Sequence, residues 1–317
     1  MNAISRSAAG ALAMCAVTAV GATPAVAQPA THTARLLAAV NSTRSDSSTR
    51  SSHPVPVVPR SRYLALGDSV TFGYEESQVV PAPDYTNASS FANYPDMLGK
   101  ELGLTVANLA CPGETTASFI NTSAISNGCE NTLGDTSTAY RPHFPLHVQY
   151  SGSQLAKALS YLRGHRDVRL VSLMIGANDT FVCQKTTSDG CASSSEQQAL
   201  AAKVVSNVRK ILLAVRQQAH YGRQLVVVNY YSTDYTSAAA NATSQFVNQT
   251  VDAAARPFHV EIADGYGQFK AASAHSGDRT CVAGLLTQLG TPGTCGVHPS
   301  YAGQALLAQA VANAIEL

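Results

Sequence analysis

The 317-residue chain carries no long run of like charge, and charged residues make up only 13% of it, with a formal net charge of +1. That excludes the concentrated basic surface of a nucleic-acid binder, so a polyanion partner is not expected. No C-x-x-C pair occurs, and the cysteine spacings are wrong for zinc, which leaves no metal site to expect. No G-x-S-x-G elbow is present either, which argues against the serine chemistry of the α/β-hydrolase fold. No segment reaches the roughly 18 uninterrupted apolar residues of a membrane-spanning helix. Internal repeats are absent. Hydrophobic residues are nonetheless 45% of the chain, enough for a sizeable core in one α/β domain.

The N-terminus has the layout of an export signal. Arg6 supplies the positive end, Ala8 to Ala22 is apolar and uncharged, and Ala25-Val26-Ala27 forms a small-residue cleavage site before Gln28. Residues 1–27 are therefore expected to be removed, leaving a secreted, extracellular chain with no stable membrane insertion. Residues 28–60 are rich in Ser, Thr, Pro and Ala. They bury too little to offset the entropy of ordering and are expected to form a disordered leader. Residues 61–317 then hold the folded domain, expected as a monomer. Of the seven cysteines, Cys15 leaves with the signal. The six that remain suit disulfides in an exported protein. Pairing by proximity in sequence gives Cys111–Cys129, Cys183–Cys191 and Cys281–Cys295, each bracketing one loop.

Short apolar runs alternate with helical patterns through this domain. Strands are expected at Tyr63–Gly67, Val106–Ala110, Val168–Ile175, Gln224–Tyr230 and, more weakly, His259–Ala263. Near-continuous apolar strands indicate burial on both faces, the mark of a parallel sheet. Helices are expected at Tyr94–Leu102, Gly152–Arg163, Glu196–Ala219, Ala238–Ala255 and Tyr301–Ile315. The alternation predicts a doubly wound α/β fold, whose active site lies at the carboxyl ends of the strands. Asn121–Tyr150 is weakly patterned and reads as a long loop.

Four blocks at those strand ends carry chemistry. Ser69, in Gly67-Asp68-Ser69, follows the first strand and opens a helix whose free N–H groups suit a developing oxyanion. The plainer reading makes Asp68 or Ser69 only a helix cap. Gly113, in Cys111-Pro112-Gly113-Glu114, allows a backbone N–H to approach a ligand closely, or is an ordinary turn glycine. Asn178, in Gly176-Ala177-Asn178-Asp179, is a side-chain donor, or a turn residue. His298, in Gly296-Val297-His298-Pro299, is held out of helical geometry by its proline, or is a loop histidine without a role. His143, His147, His165, His220, His259 and His275 share no ligand spacing and read as structural or surface residues.

Together the four blocks resemble the SGNH hydrolases, the GDSL esterases and lipases, which are named for a Ser, a Gly, an Asn and a His in this order. The resemblance spans residues 63 to 303, about three quarters of the chain. It implies a flavodoxin-like three-layer α/β/α fold with a five-stranded parallel sheet. It also implies ester hydrolysis through an acyl-enzyme on Ser69, with His298 as general base and no cofactor. The N–H groups of Ser69 and Gly113, with the Asn178 amide, would form the oxyanion hole. The substrate would be a small-molecule or lipid ester. A carbohydrate acetylesterase of the same fold, or a non-catalytic binding module that kept the fold, are the alternatives. One departure stands out. The family's usual Asp three residues before the His is Cys295 here. Some secreted members manage with a main-chain carbonyl, so the Cys295 carbonyl is the expected partner of His298, with Asp278, Asp264 and Asp189 as carboxylate rivals.

Overall fold

The structure is a computed structural model and describes residues 55–317. The expected signal segment and most of the expected leader lie outside the described residues. Residues 55–60, expected as the end of the leader, are instead built into the domain. Val57 is 3% exposed in the core, and its N–H donates to the Glu316 carbonyl at 2.8 Å. An apolar side chain next to a backbone bond to the far end of the chain is enough to order this stretch.

Five parallel strands make one sheet in the order β2-β1-β3-β4-β5: β1 (Arg62–Gly67), β2 (Thr105–Asn108), β3 (Val168–Met174), β4 (Gln224–Val228) and β5 (Glu261–Ala263). Helix α8 (Tyr301–Asn313) packs against both α2 (Tyr94–Leu102) and α7 (Gly265–Ser273), and α4 (Ala177–Thr186), α5 (Ser194–Leu213) and α6 (Ala238–Ala255) pack with one another. With α1 (Ser69–Phe72) and α3 (Gln154–Gly164), they complete the expected doubly wound α/β architecture. Tyr63, Leu64, Ala65 and Leu66 of β1 are all essentially unexposed, as are Leu170, Val171 and Leu173 of β3. Burial of successive residues on both faces is what made these strands read as continuous apolar runs.

Three elements are not evident in the hydrophobic pattern. Helix α4 begins directly after β3 and has no apolar stripe, because its inward residues are Asn178, Asp179 and Thr180. Helix α7 is short and opens on a Gly-Tyr-Gly stretch. A small antiparallel pair, β6 (Leu286–Gln288) and β7 (Cys295–Pro299), precedes α8, so His298 stands on a strand rather than on a loop. The long loop has no regular element between residues 121 and 150, as expected. It is held by Arg141, which bonds Glu130 at 2.9 Å and the Tyr150 carbonyl at 2.6 Å.

All three expected disulfides are present: Cys111–Cys129, Cys183–Cys191 and Cys281–Cys295, with Cα–Cα distances of 5.6, 5.5 and 5.8 Å. The last closes a loop of 14 residues just ahead of His298. Replacing both Cys281 and Cys295 by serine should lower unfolding stability by about 3 kcal/mol on the chain-entropy account. Urea titration checks this, and an unchanged midpoint would contradict it.

Candidate active site

The loops after β1, β2 and β3 meet at the carboxyl edge of the sheet. Hydrogen bonds tie them directly, from Cys111 N–H to the Gly67 carbonyl (3.2 Å) and from Asp68 N–H to the Met174 carbonyl (3.3 Å). Asp68 caps α1 by accepting from Val70 N–H at 3.0 Å, which puts Ser69 at the first helical position. The cap reading of this block is therefore realised on Asp68, which leaves the Ser69 side chain free of a capping role. Ser69 Oγ lies 3.0 Å from His298 Nε2, across 229 positions of sequence.

The structure also brings Gly113 and Asn178 to this edge. Gly113 has φ +82°, and a Cβ there would run into the backbone of Asn127 and Gly128. Only glycine meets both demands. Among the described residues neither the Ser69 nor the Gly113 N–H has a protein acceptor. Asn178 is 5% exposed, in the first turn of α4. Its orientation follows from a chain of partners. Lys185 Nζ can only donate, so it fixes Asn127 Oδ1 as its acceptor at 2.7 Å. Asn127 Nδ2 then donates to Asn178 Oδ1 at 2.8 Å, which turns Asn178 Nδ2 toward Asp68 Oδ2 at 3.3 Å. Among the described residues Asp68 is the one acceptor that this amide nitrogen meets.

Buried carboxyls stiffen the edge. Asp68 Oδ2 also accepts from the Tyr230 hydroxyl at 2.5 Å. Burial pushes Asp68 up to about 6, against the opposing pull of Tyr230, of Val70 N–H and of the His298 charge. Asp179 accepts from Thr116 N–H (2.8 Å) and its hydroxyl (2.7 Å), joining α4 to the loop after β2. Glu114, beside Gly113, is bonded by Ser118 and by Gln154 Nε2 (3.0 Å), and Gln154 also holds both backbone groups of Gly67. Burial, with Glu130 nearby, raises Glu114 well above the carboxylate range.

His298 Nδ1 does not meet the Cys295 carbonyl expected from the sequence. It lies 2.8 Å from Glu76 Oε1 instead. Nor do the three rival aspartates hydrogen-bond the ring. Asp264 caps α7, Asp189 accepts from Ala192 and Ser193 N–H, and Asp278 sits in the turn after α7. Cys295 Sγ is engaged by its disulfide to Cys281. Glu76 escaped sequence reasoning because it lies in an irregular segment 222 positions from His298; one available signal was an acidic pair, Glu75-Glu76, shortly after the Ser69 block. Among the described residues, the one cluster with metal-type ligands is Cys111, Glu114 and Cys129, and its two sulfurs are joined to each other.

A parallel α/β sheet with a serine–histidine pair, an unpartnered pair of N–H groups and a buried amide at its carboxyl edge defines the class. The chain belongs to the GDSL-like lipase/acylhydrolase family, which matches residues 65–306. A comparison with curated proteins gives no match. Its structure is similar to that of phospholipase A1 from Streptomyces albidoflavus, at 18% identity and TM-score 0.52, covering 80% of this chain and 99% of that one. The acetylxylan esterase Axe2 from Geobacillus stearothermophilus is 15% identical, with TM-score 0.48 and coverage of 83% and 97%. At these identities the likeness concerns the fold.

The raised value of Asp68 has a consequence for stability. The unfolded chain releases this proton near 3.8, the folded one near 6, so the associated stability is present below about pH 4 and lost as pH rises through about 6. Asp68→Asn removes the buried charge and keeps a capping side chain. It should flatten the fall in melting temperature between pH 4 and 6. A variant with the wild-type pH slope would contradict this.

Proposed function

We propose that the protein is a secreted serine esterase that hydrolyses carboxylic esters through an acyl-enzyme on Ser69. The observation that carries this reading is the 3.0 Å contact of Ser69 Oγ with His298 Nε2 at the start of α1. A carboxylate can only accept, so Glu76 at Nδ1 implies that the ring proton sits there and that Nε2 is free to accept the Ser69 proton. Ser69 Oγ attacks the ester carbonyl as that proton moves to Nε2. The negative charge that develops on the carbonyl oxygen is met by the N–H groups of Ser69 and Gly113 and by Asn178 Nδ2. Collapse of the tetrahedral species expels the alcohol, which takes the proton from His298. Water then repeats the sequence on the acyl-enzyme and releases the acid.

Export agrees with the three disulfides and the N-terminal pattern. Among the described residues no helix is long and apolar enough to cross a membrane. The acyl and alcohol preference is best read from p-nitrophenyl esters of rising chain length set beside acetylated sugars.

Ser69→Ala should abolish turnover and labelling by a serine-reactive phosphonate. A wild-type protein that takes no label would favour a binding module. Asn178→Ala should lower kcat by about 10²–10³-fold, the loss typical of an oxyanion donor. A change confined to KM would remove Asn178 from that role.

A further inference from the structure

The geometry points to Glu76 as the carboxylate of a Ser–His–acid triad, supplied from the segment behind the nucleophile rather than from the position three residues before the histidine. This rests on the Ser69–His298 reading above.

Glu76 lies seven positions after Ser69, beyond the turn that ends α1 at Gly73. Both of its oxygens are held. Oε1 accepts from Val297 N–H at 2.8 Å and faces His298 Nδ1 at 2.8 Å. Oε2 accepts from the Thr287 hydroxyl at 2.6 Å. The carboxylate is thus clamped between β6 and β7, and its side chain is only 18% exposed. Burial alone would raise Glu76, yet the hydrogen bond from His298, its charge and the Thr287 hydroxyl bring it down to about 2. It is therefore ionised wherever imidazole catalysis operates.

The sequence around His298 is built to admit this side chain. A Cβ at Gly296 would run into the Glu76 carboxylate, so any larger residue there would have to displace it from His298. The neighbouring Cys295 receives Gln288 Nε2 at 2.8 Å on its bonded sulfur and offers the ring no charge. A main-chain carbonyl could fix the tautomer, but only an anion also offsets the positive charge of the imidazolium that forms during attack.

The competing role for Glu76 is structural, as a staple of the β6–β7 pair. The two roles differ in one respect. Val297 N–H and Thr287 need only an acceptor, which a glutamine oxygen supplies in part, whereas the imidazolium needs the charge. Glu76→Gln therefore separates them. Wild type, Glu76→Gln, Glu76→Ala and Thr287→Val should be compared by kcat and KM on p-nitrophenyl acetate and butyrate and by thermal melting. 15N-histidine NMR should be run alongside, to read which nitrogen of His298 carries the proton.

For Glu76→Gln we expect kcat to fall by about 10²–10⁴-fold, the upper end being the loss seen on neutralising a triad aspartate, with KM and melting temperature nearly unchanged. Thr287→Val keeps the charge and should lose less than about tenfold. Wild-type His298 should be protonated at Nδ1, and Glu76→Ala should show a tautomer mixture. Loss below about tenfold in Glu76→Gln, or an Nδ1 proton untouched in Glu76→Ala, overturns the assignment. If wild type turns over none of the esters, the hydrolase reading fails separately, and the tautomer of His298 still decides for or against Glu76.

Discussion

Burial of β1 on both faces, between β2 and β3, is the constraint on which the rest depends. With Tyr63 to Leu66 unexposed, the strand has one register against each neighbour, pairing Tyr63 with Val106 and Leu66 with Leu173. A slip by one residue would expose nothing but would break the match of side-chain shapes in a close-packed core. Because all three strands run in parallel, fixing their register fixes where their carboxyl ends lie. The Ser69, Gly113 and Asn178 blocks each follow one of these ends, so the packing of an apolar strand sets the spacing of polar groups it never touches.

Each of the three disulfides lies beside one of the sequence blocks gathered at this edge. Cys111 stands two residues before Gly113, Cys183 lies on the helix that carries Asn178 in its first turn, and Cys295 is three residues before His298. Each bond closes a loop next to an element that carries one of these blocks. Covalent closure there limits the fluctuation of loops that the sheet alone does not hold.

Among the described residues, the buried carboxyl groups all lie near the carboxyl edge. Asp68, Glu114 and Asp179 are each less than 4% exposed. Burying a carboxyl costs stability, so such groups are kept where orientation matters more than their net contribution. Asp68 illustrates the exchange. It caps α1, receives Tyr230 and aims Asn178, three directional bonds from one side chain. The alignment of Asn178 runs further, through Asn127 to Lys185, so a surface ammonium sets the direction of a buried amide.

The sequence by itself determined the sheet, the four chemical blocks and the disulfide pairing. These are encoded locally, in runs such as Tyr63–Gly67, in strand-end motifs such as Gly67-Asp68-Ser69, and in cysteines close along the chain. Helix α4 was hidden because its inward face is polar, and the pair that carries His298 because three-residue β6 is too short for a period to show. What only the tertiary structure decided is the partner of His298. Residues 286 to 299 fold back over the segment after α1, and that contact joins Glu76 to a histidine 222 positions away. No periodicity or spacing records such an encounter, since it depends on how separate elements pack and not on the propensities of either. Besides the acidic pair Glu75-Glu76, Gly296 is its trace in the sequence, a missing side chain whose place is explained only once Glu76 fills the space.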